Sequence, residues 1–168
     1  MIEQDKIDIQ QLCLEKKAIN CKFIDSGSIV VGYWPRYKCQ YGCAGYGKSL
    51  CCPPHSPTPD ETKKIVADYK LGLLIHFGGD VPVTKTIAEL EREVFLRNYY
   101  KVIGFGAGPC KLCKECTLIQ CKVPQLARAS MEACGIDVYA TVRNNDFSIN
   151  VLRSKEETEN CFGLLLIE

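Results

Sequence analysis

TPDETKKIVADYKLGLLIHFGG, residues 58–79, decides how this chain is read as a fold. Thr58 is a helix cap, Pro59 takes the first turn, and Glu61 stands three residues after the cap, which is a capping box. The helix it opens should run to about Tyr69. Leu71 to Phe77 is an apolar run bounded by Lys70 on one side and Gly78-Gly79 on the other. Its length and borders predict a buried strand.

The same alternation continues outward. Thr86-Ile87-Ala88-Glu89 is a second capping box, predicting a helix to about Tyr100. Ile87, Leu90 and Val94 share one face of that helix, and Glu93 to Arg97 has the spacing of an i,i+4 pair. VIGFGA (102–107) reads as a strand, as do 20–24, 28–33 and the C-terminal FGLLLI (162–167). An N-terminal helix is expected over 8–17, and another over 124–134, with Pro124 at its start and Gly135 beyond its end. No internal repeat, low-complexity segment or Gly/Ser/Pro-rich linker is present. The expectation is one domain over 1–168: a single-domain α/β sandwich with one mixed sheet, helices packed on it, and cysteine-rich metal-binding loops at 38–57 and 108–124.

A chain of 168 residues with 46% hydrophobic and 24% charged residues can bury a core of its own, so disorder is excluded. Lysine and arginine total 21 against 20 acids, a net charge of +1, which gives no basic field for nucleic acid. No run of about 18 apolar residues exists to cross a membrane. The opening MIEQDKIDIQQ lacks the apolar core of a signal peptide, so the expected location is the cytoplasm. In that reducing compartment structural disulfides are disfavoured, and 12 cysteines point towards metal.

Eight of those cysteines cluster. GPCKLCKECTLIQCKVP (108–124) carries Cys110, Cys113, Cys116 and Cys121, spaced C-x2-C-x2-C-x4-C. Three evenly spaced thiols in one loop suit a cubane cluster better than zinc, which more often joins two separated C-x2-C knuckles. The ferredoxin run C-x2-C-x2-C-x3-C-P is close, but here the fourth spacing is longer and the proline lies at 124. KCQYGCAGYGKSLCCPPHSP (38–57) offers Cys39, Cys43 and Cys52 as ligands, with Cys51 as a fourth thiol. Its glycines would let backbone amides approach sulfur, one of the levers on cluster potential. Disulfides and free thiols remain the competing readings for both groups.

The remaining candidates have plainer explanations. Cys13, Cys21 and Cys161 lie in apolar contexts and read as small core residues. Core packing is also favoured for Cys134, at a predicted helix end. His55, three residues after Cys52, reads as a solvated loop histidine, and His76 as a satisfied core residue. Arg128 and Glu132 have the spacing either to pair or to line a cleft. Trp34, Tyr41 and Tyr46 are expected to pack over the first loop. No P-loop, G-x-G-x-x-G or G-x-S-x-G motif is present.

Beyond residue 38 the sequence resembles a family of predicted metal-binding proteins common in anaerobic bacteria and archaea, a domain of unknown function. The matching stretches are KCQYGCAGYGKSLCCPP (38–54), SPTPDET (56–62), LEREVFLRNYYK (90–101), GAGPCKLCKEC (106–116), CKVPQLARASMEACGIDVYATVRN (121–144) and GLLLIE (163–168). The resemblance implies Cys39, Cys43, Cys52, Cys110, Cys113, Cys116 and Cys121 as ligands. It leaves Cys51 out, and departs from this chain at Ala129, where the family often has proline. It attaches no reaction. The first functional reading is therefore one or two [4Fe–4S] clusters in an electron-transfer or redox subunit that serves a partner protein. The second is an enzyme whose open-iron cluster acts on a small, for example sulfur-containing, substrate; the third is a structural zinc-binding module.

Overall fold

The structure, a computed structural model, describes residues 1–154 and 156–168. The principal elements run α1 (Glu3–Glu15), β1 (Ala18–Asp25), α2 (Trp34–Gly42), α3 (Pro59–Ala67), β2 (Leu71–Gly78), α4 (Val83–Leu96), β3 (Ile103–Phe105), α5 (Val138–Asn144) and β4 (Asn160–Leu166). The four strands form one sheet in the order β1-β2-β4-β3.

The α/β architecture matches the sequence expectation, with one difference in the sheet. Every neighbouring pair of strands is antiparallel, so the sheet is not mixed. The topology explains this. β2, α4 and β3 form a split βαβ unit whose two strands are parallel to each other. β4 enters between them, pairing Leu73 with Leu165 on one side and Gly104 with Leu165 on the other, and so removes the parallel contact.

Both faces of the sheet are covered, and the two-residue period of the strands assigns each side chain to a layer. Leu73, Ile75, Phe77, Leu165 and Ile167 face α1 and α4, where they meet Ile9, Cys13, Ile87, Leu90 and Val94. Leu74, Phe162, Leu164 and Leu166 face the other way, against Val66, Met131, Ile136, Val138 and Val142. Each fully buried leucine or isoleucine contributes about 1.5–3 kcal/mol of transfer free energy before the chain's ordering cost is counted. Close approach of α4 depends on glycine: a Cβ on Gly163 would stand 2.5 Å from Ile87 Cδ1, and one on Gly104 would stand 2.6 Å from Ile87 Cγ2.

Local rules account for α3 fully. Thr58 Oγ1 accepts the Glu61 N–H at 3.3 Å, and the Glu61 carboxylate accepts the Thr58 N–H at 2.7 Å. α4 begins earlier than its expected cap, so Thr86 lies inside the helix and buried rather than at its start. Arg97 pairs with Asp5 and Asp8 of α1 instead of Glu93. The segment expected as a strand over 28–33 does not join the sheet. It opens with a 3-10 turn and forms a short bridge, Val31 to Ile136.

Residues 124–134 form no α-helix. Gly106 donates to the Ala129 carbonyl at 2.8 Å and accepts from Met131 at 3.1 Å, which extends the chain at Ser130. Residues 124–126 make a turn on the Val123 carbonyl, Glu132–Cys134 coil as one 3-10 turn, and Gly135 ends the latter at φ 83°, where a left-handed residue is needed. A Cβ there would also meet the Gly32 carbonyl at 2.8 Å, so the position combines two reasons for glycine.

Candidate metal centres

Helix α2 builds half of the first thiol group. Trp34-Pro35 starts it, with proline in the first turn, and Cys43 caps its end, donating to the Cys39 carbonyl at 3.2 Å. A spacing of four on a helix puts both residues on one face, so C-x3-C aims two thiols the same way. The sequence predicts a loop over 38–57, but residues 38–42 continue α2, and the Trp34-Pro35 start is the local signal for that helix. Arg36 holds the helix in place by donating to the carbonyls of Ser56 at 3.0 Å and Pro57 at 2.5 Å, and to that of Ala133 at 3.4 Å.

Cys52 is buried, at 6% exposure. Its sulfur and that of Cys43 lie 3.9 and 3.5 Å from the point where a Cβ on Gly45 would stand, and the same point is 3.2 Å from Pro109 Cβ. A side chain at Gly45 would therefore press on Pro109 of the second loop while only touching both thiols. Cys39, Cys43 and Cys52 line a cavity of about 180 Å³, with Glu132 in its wall. The Gly45 amide donates to Cys43 Sγ at 3.4 Å. Burial raises the Cys39 thiol above its ordinary range, and the nearby Cys43, Glu132 and Cys52 push the same way, with Arg36 opposing them. Burial also raises the Glu132 carboxyl, against its own amide and the Ser130 hydroxyl.

The second loop has no helix or strand. Cys110, Cys113, Cys116 and Cys121 line a separate cavity of about 520 Å³, and Cys51 lines it with them. The Cys51 thiol is pushed up to about 12 by burial and by the Cys110 thiol within hydrogen-bond reach, Cys121 adding to it. Cys116 is held below its ordinary value by the amides of Leu118 and Leu50, the latter from the first loop. The chain leaving this loop is anchored by Arg128, whose guanidinium grips Glu91 of α4 with both arms, at 2.6 and 2.8 Å.

The fold thus brings the two cysteine loops into contact and divides eight thiols as three and five. Cys51, which the family resemblance left aside, belongs spatially to the second loop. The reason it was missed is its neighbour: nothing local tells Cys51 from Cys52. His55 is exposed and lines neither thiol cavity. His76 is satisfied, hydrogen-bonded to Asn160 at 2.7 Å and stacked on Phe162, but it is half-exposed rather than a core residue. Cys13, Cys21 and Cys134 are buried, and burial pushes the Cys134 thiol up to about 12, as befits a packing residue.

The donor chemistry of both sets suits a soft metal, because thiolates select zinc and iron–sulfur clusters over hard cations. Among the described residues, no group of three or more His, Cys, Asp or Glu is drawn together around a single ion. A tetrahedral zinc, with Zn–S near 2.3 Å, requires sulfurs only about 3.8 Å apart. No helix among the described residues is long and apolar enough to cross a membrane.

A family model described as "Predicted metal-binding protein (DUF2284)" matches residues 22–167, a span that takes in both cysteine loops. No curated protein and no solved structure matches the chain.

Proposed function

The chain belongs to the family described as predicted metal-binding proteins, and on that premise we propose that it is an iron–sulfur protein with two adjacent centres, serving as an electron-transferring subunit for a redox partner protein. Cys110, Cys113, Cys116 and Cys121 would hold one centre, with Cys51 beside them. Cys39, Cys43 and Cys52 would hold the other. The single observation that carries this reading is the partition of consecutive residues: Cys51 lines one cavity and Cys52 the other. Two thiol sets joined at one peptide suit two neighbouring centres better than one shared ion.

A [4Fe–4S] group bound to thiolates exchanges single electrons, and an iron without a thiolate also binds a ligand as a Lewis acid. The chain's own residues set the conditions. The Gly45 amide donates to Cys43 Sγ, and the amides of Leu118 and of Leu50, from the opposite loop, donate to Cys116 and favour its thiolate. Burial of Cys52 keeps water from one ligand of the three-thiolate set. Arg36 places a positive charge near Cys39. One electron would arrive from a reduced donor protein, oxidised by that one electron, and leave to an oxidised acceptor protein. Such thiolates persist in a reducing compartment, which makes the cytoplasm the proposed location.

Anaerobic purification followed by iron, sulfide and EPR analysis tests the proposal. The expected content is roughly eight iron and eight sulfide per chain, for two cubanes. A colourless protein holding zinc alone would overturn it.

A second reading, an enzyme whose three-thiolate centre binds substrate, is favoured by one observation. Only three cysteines face the smaller cavity, and the other metal-ligating side chain in its wall is the carboxylate of Glu132. Added small ligands should then change the EPR spectrum of that centre and leave the four-thiolate one unaltered.

A further inference from the structure

A third cavity, of about 740 Å³, adjoins the three-thiolate set. Cys39, Cys43 and Glu132 line both it and the smaller cavity, so a molecule seated there would reach these side chains directly. Its volume falls within the range of about 300–1,000 Å³ common for small-molecule sites.

The walls are aromatic and come from separate elements. Tyr37 and Tyr41 stand on α2 with ring centroids 4.8 Å apart. Tyr139 stands on α5, and Phe162 on β4. Rings on converging walls favour a flat apolar ligand, since offset-stacked and edge-to-face contacts add to burial. The wall also carries one basic side chain, Lys38. Its Nζ lies 5.2 Å from the centroid of the Trp34 ring, and among the described residues it makes no ion pair. The acid in the wall, Glu132, lies on the side shared with the thiols. An anionic group on a ligand is therefore drawn to exposed Lys38 and turned away from Glu132.

We propose that this cavity binds an arylalkyl carboxylate, its flat ring between the α2 aromatics and Tyr139, its carboxylate on Lys38, and its opposite edge towards Cys39, Cys43 and Glu132. The proposal rests on the second reading above, in which the three-thiolate centre meets a substrate, and it supplies that substrate's chemical class.

Anaerobically purified protein is titrated with 4-fluorophenylacetate, 4-fluorophenethylamine and 6,6,6-trifluorohexanoate, and binding is followed by fluorine NMR line broadening. The aryl acid should broaden saturably, and the amine and the aliphatic acid should bind more weakly. Lys38→Ala should weaken the aryl acid by about 1.5- to 5-fold, the range of an exposed ion pair. Tyr37→Ala should weaken it as well; both side chains are exposed, so the fold is retained. Absence of saturable broadening, equal binding of the amine, or no effect of Lys38→Ala would overturn the proposal. EPR on the same samples separates the two claims. Iron-loaded protein that binds the aryl acid with no spectral change would sink the link between cavity and centre. Iron-free protein that still binds it would sink the centre and keep the cavity.

Discussion

Cys51 and Cys52 are consecutive residues that line different cavities, Cys51 with Cys110 and Cys121, Cys52 with Cys39 and Cys43. Their Cα atoms are about 3.8 Å apart, as across any trans peptide. Whatever the two thiol sets hold is thus joined through a single peptide unit, a short path for an electron.

This relationship separates two variants of near-identical chemistry. Cys52→Ser removes one of three thiols and should cost about half the bound iron if each set holds one cubane. Cys51→Ser leaves four other thiols around its cavity, so iron content should hold while the reduction potential of that centre shifts. Iron analysis with EPR-monitored redox titration reads both. Equal iron loss in the two variants would show that the thiols are not divided as assigned.

Two arginines anchor the two groups independently. Arg36 binds three backbone carbonyls around the α2 thiols, and Arg128 joins the exit of the second loop to Glu91. Arg128→Ala leaves a half-buried carboxylate unpaired and should cost about 1–3 kcal/mol in urea unfolding. It should lower iron retention in the Cys110–Cys121 set, whereas Arg36→Ala should lower it in the Cys39, Cys43 and Cys52 set. The EPR signal that is lost identifies which group has loosened.

Gly163 is required by packing. An added methyl would stand 2.5 Å from Ile87 Cδ1, on a side chain with 0% exposure. Gly163→Ala should therefore destabilise by about 1–3 kcal/mol. Ile87→Ala removes that Cδ1 and also Cγ1, which lies 2.6 Å from the same point, at a cost of about 2–5 kcal/mol. The double variant should be more stable than the sum of the two predicts, because each relieves the other. Simple additivity in urea denaturation would show that the two positions do not collide.

Glu61 contributes a pH-dependent element at the start of α3. The Thr58 backbone N–H, then its side chain, holds this carboxyl below its ordinary value of 4.5. A depressed folded value means that the stabilisation is fully present above pH 4.5 and is lost as the pH falls through the lower folded value. Glu61→Gln keeps a hydrogen-bonding cap but no titrating charge, so its acid limb should be flatter below pH 4.5. Identical acid limbs in circular dichroism would remove Glu61 from the account.

Neighbouring residues were enough for much of this molecule. The capping box of α3, the apolar run of β2, the glycine that ends the 132–134 turn and the buried C-terminal strand follow from rules acting within a few positions. The same local chemistry gathered eight cysteines into two loops and marked Cys13 and Cys21 as packing residues, whereas Cys161, read the same way, is half-buried and lines the aromatic cavity.

Where distant segments compete, local signals misled. Pro124 and Gly135 bracket a plausible helix, yet Gly106 captures Ala129 and Met131, and Glu91 captures Arg128, so the chain is drawn straight at Ser130 and the helix is broken into short turns. The split βαβ unit implied parallel neighbours until β4 came between them. Cys51 and Cys52 are indistinguishable as letters; their separation depends on Cys110 and Cys121 arriving from about sixty residues away along the chain. Side-chain propensity and capping act over one or two helical turns and are therefore written in order along the chain. Strand insertion, the partition of thiols and the aromatic cavity beside them arise from burial and pairing between segments that meet only once the core has closed.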